Sequence, residues 1–393
     1  VTQVHLMRRT VVLGLLLAVP AMAKGAKDVC GDRPDCIVKG TQRVLKGHEV
    51  VELSLGQGGA EDDERYKCEQ KEWWLRRPDK SVVKLLGTCG DDPNSVMEDD
   101  VSVQKNRFSY TDAGGTRVRG ASVVELQLVP LTWASGRQYS YDVLSHEGQE
   151  GRFNYITFEG RSTKESDGCQ ALEAQLVPRV QVPANFLSEG WKRMSLGRCS
   201  VDGSFVLLGK AQGKEDARIR AVLTHENVLL VEVMDDTWAG PGEKWLADDH
   251  VELWLSGWAP TSFKLCGDEA DEEEQTGLRQ WGIRIADGQV FPAYGNPQEP
   301  LPVEVVREGK VARLKIQLPG KSGGLTVIYS DSDGGKKQEL MVGTSPLRFG
   351  RAVTLSPVWH VSPAQATCEV KENQLVPVLT ELRPKPGEAA ISD

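Results

Sequence analysis

The sequence predicts an all-β protein of two β-sandwich-like domains, braced by disulfides. Three observations lead there. Short apolar runs alternate with period two, as in Val251-Glu252-Leu253-Trp254-Leu255, and such alternation turns one side of a strand to a core and the other away from it. Gly, Pro, Asp and Asn interrupt these runs at short intervals, with 40 glycines and 20 prolines in 393 residues, a length sufficient for two domains. No long helical pattern intervenes, so a sheet with one apolar face must find its second layer in another sheet.

Residues 1–23 read as a targeting segment. Arg8 and Arg9 precede an apolar run from Val11 to Val19, and Pro20-Ala21-Met22-Ala23 ends in small residues. This is the pattern of a cleaved export signal, with Met7 as its start and Val1–Leu6 as an upstream extension. The run is too short to span a bilayer. The mature chain is expected to begin near Lys24, to carry no transmembrane segment, and to reside in the periplasm or outside the cell.

Residues 24–165 form the first all-β domain. Its strand candidates are Glu49–Leu55, Lys71–Arg76, Val82–Leu86, Val101–Tyr110, Arg117–Pro130, Gln138–Val143 and Phe153–Phe158. Within it Trp73 and Trp74 are adjacent, so one is expected in the core and the other on the opposite face. Residues 166–199, with Pro178 and Pro183, read as a junction. Residues 200–370 form the second domain. A hairpin from Ala217 to Met234 turns at Thr224–Asn227, and the strand Val251–Leu255 follows an acidic and aromatic loop. Further strands are expected at Trp281–Ile285, Val290–Phe291, Val303–Val306, Val311–Leu318, Leu325–Tyr329, Leu340–Val342 and Ala352–Leu355, enough for a jelly-roll-like sandwich. Residues 371–393 read as a tail, disordered from Arg383 with its Pro384, Pro386 and Gly387.

Eight cysteines fit disulfides in an exported protein better than zinc, because no C-x-x-C pair occurs. Eight allow 105 connectivities. Spacing favours Cys30–Cys36, Cys68–Cys89 across a hairpin centred on Pro78-Asp79, and Cys169–Cys199 across the junction, which leaves Cys266–Cys368.

Three features of the second domain resemble family 9 carbohydrate-binding modules and the wider DOMON-like sandwiches. They are the strand ending Val231-Glu232-Val233-Met234-Asp235-Asp236, then Trp245 shortly before Asp248-Asp249-His250-Val251-Glu252-Leu253, and later Gly324-Leu325-Thr326-Val327-Ile328-Tyr329-Ser330-Asp331-Ser332-Asp333-Gly334-Gly335. The resemblance covers roughly 200–360. It implies that Trp245 stacks on a sugar ring while Glu252 bonds its hydroxyls, although one extra residue separates the two here. It also implies a second stacking indole late in the domain, for which Trp359 is the candidate. Trp238 and Asp249, in the same loop region, complete the expected ligand-binding set, since sugars pair an apolar C–H face with aromatic rings and their hydroxyls with carboxylates.

The formal net charge of −9 argues against nucleic-acid binding, which needs a basic footprint. No G-x-S-x-G, H-E-x-x-H, Walker or dinucleotide motif occurs, so no enzyme is expected. No cofactor is expected beyond a structural calcium, for which Asp235, Asp236 and Asp248 offer hard oxygens. The turn at Asp331–Gly335 opens like an EF-hand but carries Val342 where the bidentate glutamate belongs. The leading expectation is therefore an exported, non-catalytic protein that binds carbohydrate or cell-envelope polysaccharide. Two rivals stand beside it: an envelope scaffold or protein-interaction module without sugar binding, and haem ligation by Met234 and His250. Nothing in the sequence fixes an oligomeric state.

Overall fold

The computed structural model describes residues 27–58, 68–89, 100–211, 213, 216–257, 265, 277–295, 300–320, 322–333 and 337–391. The export signal, the acidic runs at 61–64 and 268–274, and Cys266 lie outside them. So does the Cys68 side chain. Among the described residues no helix is long and apolar enough to cross a membrane.

The first unit has two antiparallel sheets. Strands β1 (Ile37–Arg43), β2 (Glu49–Gly58), β3 (Cys68–Arg76) and β4 (Val82–Cys89) pair in sequence order. Strands β5 (Asp100–Gln104), β6 (Arg107–Gly114), β7 (Val118–Leu128), β8 (Leu131–Asp142), β9 (Glu147–Asn154), β10 (Glu159–Ser166) and β11 (Leu172–Gln175) form a meander. The two sheets share a core containing Trp73, Leu75, Leu85, Leu86, Phe108 and Leu126. Trp74 faces the other way, into a small cluster with Val51, Leu53 and Cys36. The strand expected over Val101–Tyr110 is a hairpin, because Lys105 takes a left-handed conformation (φ 53°) between β5 and β6. The strand expected over Phe153–Phe158 stops at Asn154. Its side-chain oxygen accepts the N–H groups of Ile156 (2.9 Å) and Thr157 (3.0 Å), a local turn that outcompetes the ladder.

The second unit begins inside the expected junction. Strand β12 (Val177–Val180) is followed by β13 (Val201–Asp202), β14 (Phe205–Leu208), β15 (Ala217–Thr224), β16 (Val228–Asp235), β17 (His250–Ser256), β18 (Leu278–Arg284), β19 (Val290–Tyr294), β20 (Val303–Glu308), β21 (Val311–Gln317), β22 (Gly324–Asp331), β23 (Leu340–Gly343) and β24 (Ser356–His360). They pair in the order β19-β18-β17-β22-β24-β12-β15-β16-β21-β20. This surface folds over a single core that includes Ile219, Val231, Val251, Leu253, Leu314 and Tyr329. Residues 352–354 form a 3-10 turn and the final strand of this set starts at Ser356.

The C-terminal segment binds the units together. Strands β25 (Ala366–Lys371) and β26 (Gln374–Leu379) form a hairpin. The chain expected to be loose from Arg383 then returns to the first unit, where Leu382 and Ile391 are buried in its core. There the N–H groups of Ala390 and Ile391 donate to the carbonyls of Lys84 and Leu85, both at 2.9 Å. Burial of two apolar side chains and closure of backbone hydrogen bonds outweigh the proline-rich composition that suggested disorder. A third core lies between the units, joining Phe153, Tyr155 and Phe158 to Val222, Leu230 and Trp191.

Cys30 bonds Cys36. Cys199 bonds Cys368, with 6.2 Å between their Cα atoms, so the expected Cys169–Cys199 and Cys266–Cys368 pairs do not form. The Ser195 N–H donates to the Asn373 carbonyl and the Leu375 N–H to the Ser195 carbonyl, both at 3.0 Å, which brings Cys199 beside the β25–β26 hairpin, and spacing along the chain carries no trace of that contact. Cys89 and Cys169 are also disulfide-bonded.

Candidate functional site

The alternation of β17 sends Val251, Leu253 and Leu255 into the sandwich core and His250, Glu252 and Trp254 to the outer face of the sheet. On that face Arg284, Gly282 and Gln280 of β18 stand opposite His250, Glu252 and Trp254. The outer face is not bare. Trp245, on a 3-10 turn at Trp245–Ala247, lays its indole across Gly282, where an added Cβ would sit 2.2 Å from the ring. The ring stacks on Phe291 of β19 (centroids 5.2 Å apart, planes 8° apart) and meets His250 edge to face at 4.9 Å. Arg284 lies over the Phe291 ring at 5.4 Å. Trp245 and Phe291, each only half-buried, wall a hollow of about 500 Å³ whose polar lining includes Glu243, Lys244, Arg284 and Gln289.

Arg284 is held in place by three partners: Asp287 (2.6 Å), Gln289 (2.5 Å) and Asp248 (3.3 Å). The Asp287 and Asp248 carboxylates hold its pKa above the usual guanidinium range, Asp287 contributing most. It is therefore a fixed cation at the rim, with N–H groups oriented before any ligand arrives.

Glu252 does not line this hollow. It is 6% exposed, and it accepts hydrogen bonds from Gln280 Nε2 (2.8 Å) and Trp254 Nε1 (3.2 Å) while its other oxygen lies 3.5 Å from His250 Nε2. Burial pushes its carboxyl up, but the His250, Trp254 and Gln280 contacts outweigh that and hold it below the usual carboxylate range. Its expected bonds to sugar hydroxyls are replaced by this internal network. Trp254 is likewise covered, by Tyr294 and Phe349.

Asp248 and Asp249 are loop anchors. Asp248 accepts the Gly242 N–H at 2.8 Å and pairs with Arg284. Asp249 accepts the N–H groups of Ala239 and, at 2.9 Å, Ser332, and burial raises its pKa to about 7. Neither carboxylate lines the hollow. Trp238 docks elsewhere: its Nε1 donates to the Gly309 carbonyl at 2.7 Å and its ring meets Tyr329 edge to face. Trp359 stands in a different place altogether, stacked on Phe153 of the first unit at 6.0 Å. Of the five expected ligand residues, only Trp245 faces the hollow. Phe291, Arg284 and Gln289 are the partners that sequence reading missed; the Val290-Phe291 strand was visible, its position beside Trp245 was not.

A second cluster lies around the end of β22. One carboxylate oxygen from each of Asp235, Asp331 and Asp333 falls within 4.8 Å of the others, as do those of Asp216, Asp236 and Asp333. Asp235 accepts the Tyr329 O–H and the Thr237 N–H (3.0 Å). Asp331 Oδ1, Asp333 Oδ1, Ser330 Oγ and Ser332 Oγ are buried without a hydrogen-bond partner. Burial first, then mutual repulsion, raises Asp235 to about 6 and Asp331 to about 8. Asp235 and Asp236 thus lie where a cation was expected, but Asp248 belongs to Arg284.

Met234 pairs with Arg218 on the side of β16 away from the core, and His250 lies on the side of β17 away from it, so the two expected haem ligands do not both face the core.

No family model matches the chain, and no curated protein does. Solved structures similar to it include two carbohydrate-binding modules. One is a family 9 carbohydrate binding module from Caldicellulosiruptor kristjanssonii in complex with cellotriose, at 10% identity and a TM-score of 0.34, covering 52% of this chain and 97% of that one. The other is a module of the same family and organism in complex with glucose, at 11% identity and a TM-score of 0.30, covering 40% and 83% respectively.

Proposed function

We propose that this is an exported, non-catalytic protein that binds a neutral carbohydrate, such as a cell-envelope or extracellular polysaccharide, through the hollow beside Trp245. The observation that carries the reading is the half-exposed Trp245–Phe291 pair beside the fixed guanidinium of Arg284. Such a pair presents a rigid apolar surface to a sugar ring and a donor to its hydroxyls. Cleavage is not supported: glycoside hydrolysis uses two carboxyls across one bond, and among the described residues Glu243 is the one carboxylate lining the hollow. Disulfides such as Cys199–Cys368 suit an oxidising destination.

Calorimetric titration against neutral oligosaccharides tests this. An aromatic anchor of this kind contributes about 2 kcal/mol, so Trp245→Ala weakens binding roughly thirtyfold. Undiminished affinity in a Trp245→Ala chain with an unchanged near-ultraviolet spectrum, or no binding by any glycan, would end the proposal.

The orphaned oxygens of the acidic cluster favour a second role there, a structural calcium held by Asp235, Asp331 and Asp333 with Asp216 and Asp236 adjacent. Calcium takes carboxylate and neutral oxygens readily, and bound charge would relieve the repulsion among these groups. Calcium should raise the Tm of chelator-treated protein, and Asp331→Asn should abolish the response. An unchanged Tm in calcium would remove this role.

A further inference from the structure

A second concave site lies between the two units, in a place unrelated to the Trp245 hollow. On one face of the seven-stranded meander Val124, Gly136 and Phe153 stand in one cross-strand row, and Ser122, Gln138 and Gly151 in the next. Trp359 of β24 lies down on this face. A Cβ added at Gly136 or Gly151 would come to 3.2 Å from its indole, closer than ordinary van der Waals contact, so the glycines let the ring lie flat against the sheet. Trp359 Nε1 donates to the Tyr155 hydroxyl at 3.4 Å, and Trp133 meets Tyr155 edge to face at 6.1 Å. Trp133, Tyr155 and Trp359 thereby wall a cleft of about 330 Å³, with Arg137, Gln138 and His360 exposed at its mouth.

We propose that this interdomain cleft is a second binding site, specific for a single ring of a neutral saccharide. Its lining joins aromatic walls to a hydroxyl, two amides and a guanidinium: Ser122, Gln138, Gln365 and Arg137. Among the described residues no carboxylate lines it, which disfavours a cation. Arg137 is already paired with Glu150 at 2.9 Å, which disfavours an anion. His360 sits below the usual histidine range through burial, the stacked His225 and Arg179, and adds no charge near neutral pH. A peptide is a poorer fit. Strand β8 is paired on both sides, by β7 and β9, so no free edge offers a backbone ladder. The volume is also at the small end of ligand pockets, which run from about 300 to 1,000 Å³. The walls are fixed by the glycine floor and the Tyr155 bond, so little order remains to be imposed by a ligand. The cleft draws residues from both units, which gives the first unit a binding role of its own.

The test uses the full chain and the same oligosaccharide panel, with the two sites disabled separately. In a Trp245→Ala background at least one saccharide still binds, and Gln138→Ala and Trp133→Ala each weaken that residual binding at least tenfold. Ser122→Trp, which adds bulk at the mouth and removes no packing, abolishes it and guards against misfolding of Trp133→Ala. If every binding event disappears with Trp245→Ala alone, the cleft inference is overturned while the first site stands. Residual binding indifferent to all three cleft variants overturns it too, as does capture of aromatic or proline-rich peptides in place of sugars. Binding lost only in the cleft variants supports the cleft and removes the first site.

Discussion

Glu252→Gln separates a ligand-facing carboxylate from a structural one. In the wild type one oxygen of Glu252 receives Gln280 and Trp254, and the other faces His250 at 3.5 Å, whose ring Trp245 meets edge to face. The amide keeps the shape but removes the charge and turns an N–H₂ group toward one of these donors. Each of the two hydrogen bonds to this charged carboxylate contributes about 1.5–3 kcal/mol, and an unpaired donor left buried adds desolvation cost. The expected loss at pH 7 is therefore about 3–5 kcal/mol, measured by guanidinium unfolding followed by tryptophan fluorescence. Saccharide affinity of the folded variant should stay within threefold. The pH dependence has a definite sign. The folded carboxyl titrates below its unfolded value of about 4.3, so its stabilisation is complete above that pH and is lost as pH falls through the folded pKa. The difference between wild type and variant should thus shrink in acid. A variant of unchanged stability whose sugar affinity collapses would refute the reasoning, because it would place the carboxylate at the ligand.

Other expectations are equally direct. Gly282→Val should expel the Trp245 ring, whose atoms lie 2.2 Å from the new Cβ, and abolish saccharide binding in the Trp245 hollow while far-ultraviolet circular dichroism is retained. Cys199→Ser should cost about 2–5 kcal/mol in denaturant unfolding, since the bond closes a long loop and pins the β25–β26 hairpin. Removing residues 383–393 should lower the Tm, by exposing the Leu85–Leu86 side of the first core that Ile391 covers; an unchanged Tm would show the strap to be dispensable.

Much of the fold was legible because strand periodicity is a local property. The inward row Val251, Leu253 and Leu255 and the outward row of Glu252 and Trp254 follow from neighbouring residues alone. Reading failed where backbone polar groups found local alternatives, as at Asn154, or where a turn needed a left-handed lysine, as at Lys105. The expected site split for a related reason. Trp245 belongs to a loop that period-two reasoning leaves free, and it does line a hollow, whereas Trp238 and Trp359 were grouped with it on residue type and sequence order alone.

By itself the sequence determined the all-β class, most of the strands of the second unit, and which side of β17 each residue takes. Only the tertiary structure decided what covers those sides. It placed Trp245 over Gly282 and against His250, paired Cys199 with Cys368, gathered Asp216, Asp331 and Asp333 beside Asp235, and set Trp359 against Gly136 and Gly151 of the other unit. The physical reason is range. Alternation records a side chain's direction relative to its own backbone, but burial depends on segments distant in the chain, whose approach is set by the packing of whole sheets.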